Sequence, residues 1–273
     1  MSVVKLTKKT ENILKNFATI NKSIIVTPGN KLRTMSVGKN IFGIAKIPED
    51  IPRQVAIYDL GQFLSCLSLH QTPVFDFRAE KKVTVTDQTS STTTTFFDAD
   101  PSTIQSPPNK EIEMPDIDAE FELRTDTLND LMRAASILGV PDLCLFNKGE
   151  NVQLMVCDKK NETSNTFSAI VGKHNPEVAD FCYCFKVENI RLMPGDYKVS
   201  VAKNKVSHFV SADGNLEYYI ALEPSWSKNL MIYSKFLFTA LQSQTGVRLS
   251  SLISSILLIG MTVSATQDTG LIL

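Results

Sequence analysis

The stretch VVKLTKKTENILKNFATI, at residues 3–20, combines a short apolar strand, a polar cap and a short amphipathic helix. The same order recurs in VAIYDLGQFLSCLSL at residues 55–69, FELRTDTLNDLMRAASIL at 121–138 and YCFKVENIRLMPGDY at 183–197. A repeated supersecondary unit leaves a repeated pattern in the sequence. The chain is therefore predicted to contain four strand–cap–helix units.

Short, alternating and β-branched stretches fill the chain between these units. Examples are SIIVTPG at residues 23–29, KKVTVTD at 81–87 and EYYIALE at 217–223. Gly, Pro, Asn or Asp bounds each stretch, which predicts antiparallel strands joined by tight turns. The predicted fold class is α+β, with two similar domains of antiparallel sheet and two short helices in each.

An acidic, proline-rich segment separates the two halves. Residues 98–118, DADPSTIQSPPNKEIEMPDID, contain four prolines, which favour extended backbone without ladder hydrogen bonds. We predict a first domain at residues 1–105, a connector at 106–118, a second domain at 119–229 and a tail of unknown role at 230–273.

The tail contains 17 consecutive uncharged residues at 249–265, which is the short limit for a membrane-spanning helix. It is rich in serine and no basic residue follows it. Two interpretations remain open, a membrane anchor or an appended segment without a role in the fold. The marginal length favours the second.

Charge is distributed unevenly along a chain whose formal net charge is -1. Residues 1–33 carry seven basic side chains and one acid, a balance of +6, whereas residues 98–130 carry two basic side chains and ten acids, a balance of −8. Such a protein can attract a polyanion on one surface and repel it on another. Lysines also interrupt the N-terminal apolar residues, so a signal peptide is not expected.

The first predicted helix carries a polar stripe opposite its apolar face. The stripe consists of Lys8, Asn12, Lys15, Thr19 and Lys22, which follow one another at spacings of three or four residues. Three lysines without an acid can contact phosphates independently of base sequence. The alternative is an ordinary solvated helix face.

Motifs for catalysis or metal binding are not recognisable in the sequence. Gly38-Lys39 lacks the remaining residues of a phosphate-binding loop. The pairs Cys66/His70 and His174/Glu177 would each supply only part of a metal site. The five cysteines, an odd number, predict reduced thiols rather than a disulfide framework. We therefore expect no enzyme activity, no cofactor and no metal.

Several strings together resemble the sliding clamps of T-even-type bacteriophages. They are ILKNFATIN at residues 13–21, VAIYDL at 55–60, ADPSTI at 99–104, MPGDYK at 193–198 and YYIALE at 218–223. They occur in the family's order and spacing up to about residue 229, and the tail beyond has no counterpart. The resemblance implies the clamp fold, in which three subunits close head to tail into a ring of six domains. Short helices, four per subunit, line the hole, and the connector lies on the outer surface.

The resemblance also implies a non-catalytic function. The ring encircles duplex DNA, independently of sequence, and tethers the replicative DNA polymerase for processive synthesis in the cytoplasm of the infected bacterial host. It implies a homotrimer that is loaded by a clamp loader, and it allows late-transcription proteins as further partners. Edge strands near residues 92–97 and 166–171 are expected to form the subunit contacts. The alternative is a β-rich phage structural protein that does not tether DNA.

The resemblance and the charge pattern together nominate two sets of residues. Those expected to face DNA are Lys5, Lys8, Lys9, Lys15, Lys22, Arg124, Arg133, Lys186 and Arg191. A further basic position of the family falls on Ser136, which puts that contact in doubt. Those expected to form a groove for partner peptides are Ile104, Met114, Pro115, Leu222 and Pro224. Plain packing of the core or the linker is the alternative for this second set.

Overall fold

The structure is a computed structural model that describes residues 3–87, 89, 91–107, 112–114, 116–161, 163–202 and 206–223. These residues all belong to one compact unit, Met1–Trp226. The predicted tail at 230–273 lies outside the described residues, and so do Pro115 and Pro224 of the predicted groove.

The described residues form three α-helices and sixteen strands. The helices are α1 (Lys8–Ile20), α2 (Leu60–Leu67) and α3 (Thr125–Leu138). The strands of the first half are β1 (Val3–Val4), β2 (Ile24–Val26), β3 (Gly29–Met35), β4 (Ile41–Ile51), β5 (Val55–Ile57), β6 (Pro73–Asp76), β7 (Lys82–Asp87) and β8 (Thr93–Phe97). Those of the second half are β9 (Ile117–Leu123), β10 (Asp142–Lys148), β11 (Asn151–Cys157), β12 (Phe167–Lys173), β13 (Cys182–Lys186), β14 (Tyr197–Ala202), β15 (Val206–Ser211) and β16 (Leu216–Ala221).

Antiparallel sheets organise both halves, as the sequence predicted. Each half has a four-stranded sheet, in the order β1-β6-β7-β8 in the first and β12-β11-β10-β13 in the second. A six-stranded sheet, β3-β4-β16-β15-β14-β9, runs through both halves, and β2 pairs with β5. The halves are joined where β4 pairs with β16, with Gly43 opposite Tyr218.

The first strand–cap–helix unit forms as predicted. Thr7 caps α1, and Ile13, Leu14, Phe17 and Ile20 form its buried face. The helix packs closely against β4, since a Cβ atom at Gly43 would lie 3.1 Å from the Phe17 ring. Glycine at this position therefore allows the close approach of helix and sheet.

The fourth unit differs from the prediction of an amphipathic helix. After β13, the chain makes only a 3₁₀ turn at Val187–Asn189. Pro194 follows five residues later. Its ring would clash with the carbonyl of residue 190 in a continuing helix, and it has no N–H to donate. The described part of the chain therefore contributes three α-helices instead of the expected four.

The prediction of reduced thiols is wrong for two of the five cysteines. Cys144 and Cys184 form a disulfide, with their Cα atoms 4.0 Å apart. The cause is strand register, because β10 and β13 pair with these two residues directly opposite each other. Cys66, Cys157 and Cys182 form no disulfide with one another or with other described residues. Burial raises the pKa of the Cys157 thiol to about 11, which leaves it as a poor nucleophile.

Candidate nucleic-acid interface

The polar stripe of α1 faces solvent along its whole length. Lys8, Asn12, Lys15, Thr19 and Lys22 are all exposed. The face toward the sheet is occupied by apolar side chains, among them Phe17, which is fully buried. The helix therefore presents Lys8 and Lys15 on one side while its other side anchors it to the six-stranded sheet. Lys22 lies two residues beyond the end of the helix, after the extended C-cap residue Asn21, so the predicted helical stripe ends before it.

Some of the lysines that are predicted to face DNA lie next to acidic side chains. The Nζ atom of Lys8 lies 2.8 Å from Glu11, that of Lys9 lies 2.5 Å from Asp213, and that of Lys22 lies 3.2 Å from Asp59. Lys5 and Lys15 are exposed and form no ion pair with any described residue. Their charge is therefore available to a polyanion in full.

Two arginines on the second half are also exposed. Arg124 occupies the N-cap position of α3 without making a side-chain cap hydrogen bond, and Arg133 lies on the exposed face of the same helix. Within the described part of the chain, neither forms an ion pair. Ser136, one turn beyond Arg133, is exposed as well but carries no charge.

Lys186 is held against the protein by a buried carboxylate. Its Nζ atom lies 2.6 Å from Oδ1 of Asp142, whose side chain is 1% exposed. The hydrogen bond to Asp142 raises the pKa of Lys186. A buried carboxylate needs a paired cation, so Lys186 has a structural role in this arrangement, and a contact with DNA remains only a prediction.

Arg191 joins the two halves. Its guanidinium donates hydrogen bonds to the carbonyl of Glu188, at 2.9 Å, and to the carbonyl of Thr19 near the end of α1. Asn16 of α1 donates in turn to the carbonyl of Arg191, at 3.0 Å, and accepts a hydrogen bond of 2.6 Å from Tyr218. A cation at a helix C-terminus is favourable, so Arg191 positions α1 while remaining exposed.

The acidic side chains of β9 lie on the opposite face of the six-stranded sheet. Register places Phe121 in line with Val199, Phe209, Tyr218 and Gly43 on the face covered by α1. Because successive side chains of a strand alternate, Glu120 and Glu122 point to the other face, where both are exposed. The structure thus separates a basic helix side from an acidic sheet face.

Two models of known protein families match this chain. The DNA polymerase processivity factor family matches residues 5–105, and the gp45 sliding clamp C-terminal model matches residues 120–224. The sliding clamp of Vibrio phage KVP40 is 33% identical over 224 residues, covering 81% of this chain and 99% of the relative. That of Enterobacteria phage T4 is 31% identical over 226 residues, covering 81% of this chain and 97% of the relative.

The chain belongs to the sliding-clamp family. Its function as a DNA polymerase processivity factor follows from this membership, and the alternative of a β-rich structural protein is set aside.

Solved clamps share the fold at low sequence identity. Proliferating cellular nuclear antigen from Entamoeba histolytica aligns with a TM-score of 0.59 and 15% identity, covering 81% of this chain and 98% of that one. The H. pylori beta clamp aligns with a TM-score of 0.63 and 10% identity, covering 82% of this chain and 66% of that one. The predicted clamp fold is therefore confirmed.

Two of the three predicted groove residues that the structure describes are enclosed. Ile104 and Leu222 are each 6% exposed, and Leu222 packs within the main core. Met114 is half-buried. For Leu222 the structure favours the packing alternative, because its side chain is part of the core.

Sequence reasoning missed a stacked row of rings on the sheet face away from α1. Phe42 stacks on Tyr219 with centroids 5.9 Å apart, and His208 stacks on Tyr219 at 4.2 Å. Nε2 of His208 lies 2.9 Å from a carboxylate oxygen of Glu217. Alternation within EYYIALE indicates which residues share a face, but only the pairing of β4, β16 and β15 brings the three rings together.

Side chains that could bind a metal ion do not cluster in the part of the chain that the structure describes. Its residues include no group of three or more His, Cys, Asp and Glu side chains placed to hold a metal ion. Among the same residues, no helix is long and apolar enough to cross a membrane.

Proposed function

We propose that this clamp works without catalysis, as one of three identical subunits that close around duplex DNA and hold the replicative polymerase on its template. The observation that carries the proposal is the exposed lysine stripe of α1 in a chain that belongs to the sliding-clamp family. A closed ring is retained by topology. Interactions with phosphates can therefore be weak and independent of sequence, which permits sliding.

The proposed DNA-facing residues differ in the charge they can offer. Lys5, Lys15 and Arg133 are exposed and form no ion pair with the described residues, so they are the strongest candidates. Lys8, Lys9, Lys22 and Arg124 supply further positive charge, although acidic neighbours offset the three lysines. We assign Lys186 and Arg191 mainly to holding the fold, on the basis of their hydrogen bonds to Asp142 and Thr19.

Ring closure is proposed to use the two terminal strands of the four-stranded sheets. Strand β8 ends the sheet of the first half and β12 ends that of the second. Both strands expose large apolar side chains: Phe97 is 77% exposed, Ile170 63% and Phe167 41%. Pairing these edges between copies continues the sheets, buries the side chains and satisfies backbone groups that an open edge would leave unpaired.

Partner proteins are proposed to bind on the outer side of the ring. The polymerase, the clamp loader and late-transcription proteins are the proposed partners, in the cytoplasm of the infected bacterial host. The stacked rings of Tyr219 and His208 are partly exposed beside the buried ring of Phe42, and they offer an aromatic surface for an apolar peptide. Met114 and Ile104 remain candidates for a partner-peptide groove.

Two measurements test the proposal: the mass of the protein in solution and its retention on circular DNA. The purified chain should have the mass of a trimer, and after loading it should stay on nicked circular DNA and leave quickly once the circle is cut. A chain that stimulates no polymerase and stays monomeric, even with a clamp loader present, would contradict the proposal.

A further inference from the structure

The free edges of β8 and β12 lack the features that normally protect an edge strand. At the two edges of the six-stranded sheet, β3 carries two basic and β9 three acidic side chains, and such charges discourage pairing with another chain. The edge strand β13 is instead covered, because the N–H of Glu223 donates to the carbonyl of Cys184, at 2.8 Å. By contrast, residues 93–97 and 166–170 contain neither a charge nor a proline. These two edges are therefore open to a second copy of the chain.

Hydrogen bonds at both ends of β8 show which of its backbone groups reach the free edge. The N–H of Asp98 donates to the carbonyl of Lys81, at 3.0 Å, and the carbonyl of Thr92 accepts from Asp87, at 3.2 Å. Residues of an antiparallel strand alternate between those that bond to one neighbour and those that bond to the other. The even-numbered residues therefore face β7, and the odd-numbered residues of 93–97 direct their N–H and C=O groups outward.

The same alternation identifies the outward groups of β12. The carbonyl of Glu150 accepts from the N–H of His174, at 2.8 Å, so the even-numbered residues of β11 face β12. Ser168 and Ile170 stand opposite odd-numbered residues of β11. Their N–H and C=O groups are therefore directed at the free edge of the second sheet.

The side chains of the two edges match in phase. Phe96 stands opposite the buried Val83, and Phe167 opposite the buried Val156, so both rings lie on the core face of their sheets. The residues with outward backbone groups alternate with them and carry their side chains on the outer face. Hydrogen-bonded pairs of an antiparallel ladder have side chains on one face. The two edges can therefore join with the core faces and the outer faces each continuous.

The lengths of the two edges select one register. The pairing of β11 with β12 is irregular at Val171, which is skipped between the partners of Val152 and Gln153, so the regular edge of β12 ends at Ile170. The five residues of β8 then match residues 166–170, with Thr93 opposite Ile170. A slip of two residues would place an outward group of β8 either against the irregularity or before the beginning of β12.

We propose that β8 of one subunit pairs with β12 of the next in this register. Thr95 then lies opposite Ser168 of the partner subunit on the outer face, and Phe96 lies opposite the partner's Phe167 on the core face. Cross-strand pairs of hydroxyl side chains and of aromatic rings are stabilising. The ring of Phe96 already packs on Phe63, with centroids 4.7 Å apart, so the second ring extends an aromatic cluster. This inference rests on the proposed ring and deepens it, because it names the residues that set how the subunits meet.

The first test measures which cysteine pairs form a disulfide between subunits of the full-length protein, in solution and after loading onto circular DNA. Thr95→Cys is combined with Ser168→Cys, Ile170→Cys or Thr166→Cys, which samples the proposed register and a slip in each direction. Opposite residues of a hydrogen-bonded pair have Cα atoms about 5.5 Å apart, within disulfide range, whereas diagonal neighbours are about 7–8 Å apart. Thr95→Cys/Ser168→Cys should therefore form covalent dimers and closed trimers at least about fivefold faster than the other two pairs. Denaturing electrophoresis without reductant gives the rates, and the unmodified chain and the single variants control for the natural cysteines.

The second test removes the ring of Phe167. Phe167→Ala is expected to raise the trimer–monomer dissociation constant by about tenfold or more, because the aromatic pair is lost at each of three interfaces. Val37→Ala, at another exposed apolar side chain, is the matched control and should stay within about twofold of the unmodified chain. Sedimentation at several concentrations gives the constants, and circular dichroism checks folding.

Three results would overturn the inference while leaving the ring intact. Faster cross-linking of Thr95→Cys with Ile170→Cys or with Thr166→Cys would assign a slipped register. A trimer that none of the three pairs cross-links would exclude the pairing of these edges, and a Phe167→Ala trimer of unchanged stability would exclude the aromatic contact. By contrast, an unmodified chain that never forms a trimer and is not retained on circular DNA would overturn the proposed function, and this inference with it.

Discussion

The hydroxyl group of Thr10 in the first turn of α1 donates a hydrogen bond of 2.6 Å to the carboxylate of Glu49 on β4. The same carboxylate accepts from the backbone N–H of Thr7, the N-cap residue. A buried strand residue thus satisfies donors at the N-terminus of the helix that carries the lysine stripe. Its negative charge also favours the positive end of the helix dipole.

Glu49→Ala is expected to destabilise the fold by about 1–2 kcal/mol, because it removes an anionic cap and leaves buried donors without a partner. Urea denaturation followed by circular dichroism measures the change. Asp50→Ala is the control, since Asp50 is exposed on the next residue of β4 and should change stability little. Equal destabilisation by both variants would contradict a capping role for Glu49.

Stability should also depend on pH through Glu49. Burial by itself raises the pKa of this carboxyl, but hydrogen bonds from Thr10 and Thr7 outweigh it, and the net pKa lies below its usual value. A depressed pKa in the folded state contributes stability above the unfolded pKa of about 4.3 and loses it as the pH falls through the folded value. Glu49→Gln should therefore reduce the fall in stability between about pH 5 and pH 3. If the stability of Glu49→Gln fell between pH 5 and pH 3 as much as that of the unmodified chain, the lowered pKa of Glu49 would not be the cause of the acid destabilisation.

Lys15→Ala and Arg133→Ala should weaken DNA binding without affecting the fold. Each removes one unpaired charge, so the slope of log affinity against log salt should fall by up to about one for each phosphate that a subunit no longer neutralises. Binding of the loaded ring to DNA over a range of salt concentrations gives the slope. Lys148→Ala, also exposed, is the control for a general charge effect. Unaltered slopes in both variants would place the DNA path elsewhere.

Lys186→Ala is expected instead to destabilise the fold. It leaves the Asp142 carboxylate, which is 1% exposed, without its cation, a change that typically costs about 3–5 kcal/mol. Thermal melting would register the destabilisation before any DNA assay. The double variant Lys186→Ala/Asp142→Ala should recover part of the stability, because the uncompensated charge is then gone. Full stability of Lys186→Ala would show that the ion pair is dispensable.

Local patterns in the sequence predicted the parts of this clamp that depend on neighbours in the chain. The stripe of α1 follows from helical spacing for its first four residues, and all five predicted residues are exposed, although Lys22 lies beyond the end of the helix. The fourth helix was predicted wrongly, because Pro194 ends the segment before a second turn can form. This restriction is visible in the sequence, and it overrides the amphipathic pattern of the residues before the proline.

Other features depend on pairings that the sequence does not display. Lys186 resembles the other DNA-facing candidates until β10 brings Asp142 beside it, 44 residues away in the chain. Likewise, the disulfide depends on the register of β10 with β13, which places Cys144 opposite Cys184. Glu49 looks like an ordinary charged residue of a strand, and only the packing of α1 on β4 turns it into a helix cap.

The proposed ring would hold this protein on DNA by topology rather than by tight binding. The most direct measurement loads the protein onto a nicked circular duplex, removes free protein, and then follows its release before and after a single cut that linearises the circle. We expect slow release from the circle, fast release from the cut molecule, and recovery of slow release when the ends are blocked by bulky end-bound proteins. Equal release rates from circular and linear DNA would contradict retention by a closed ring.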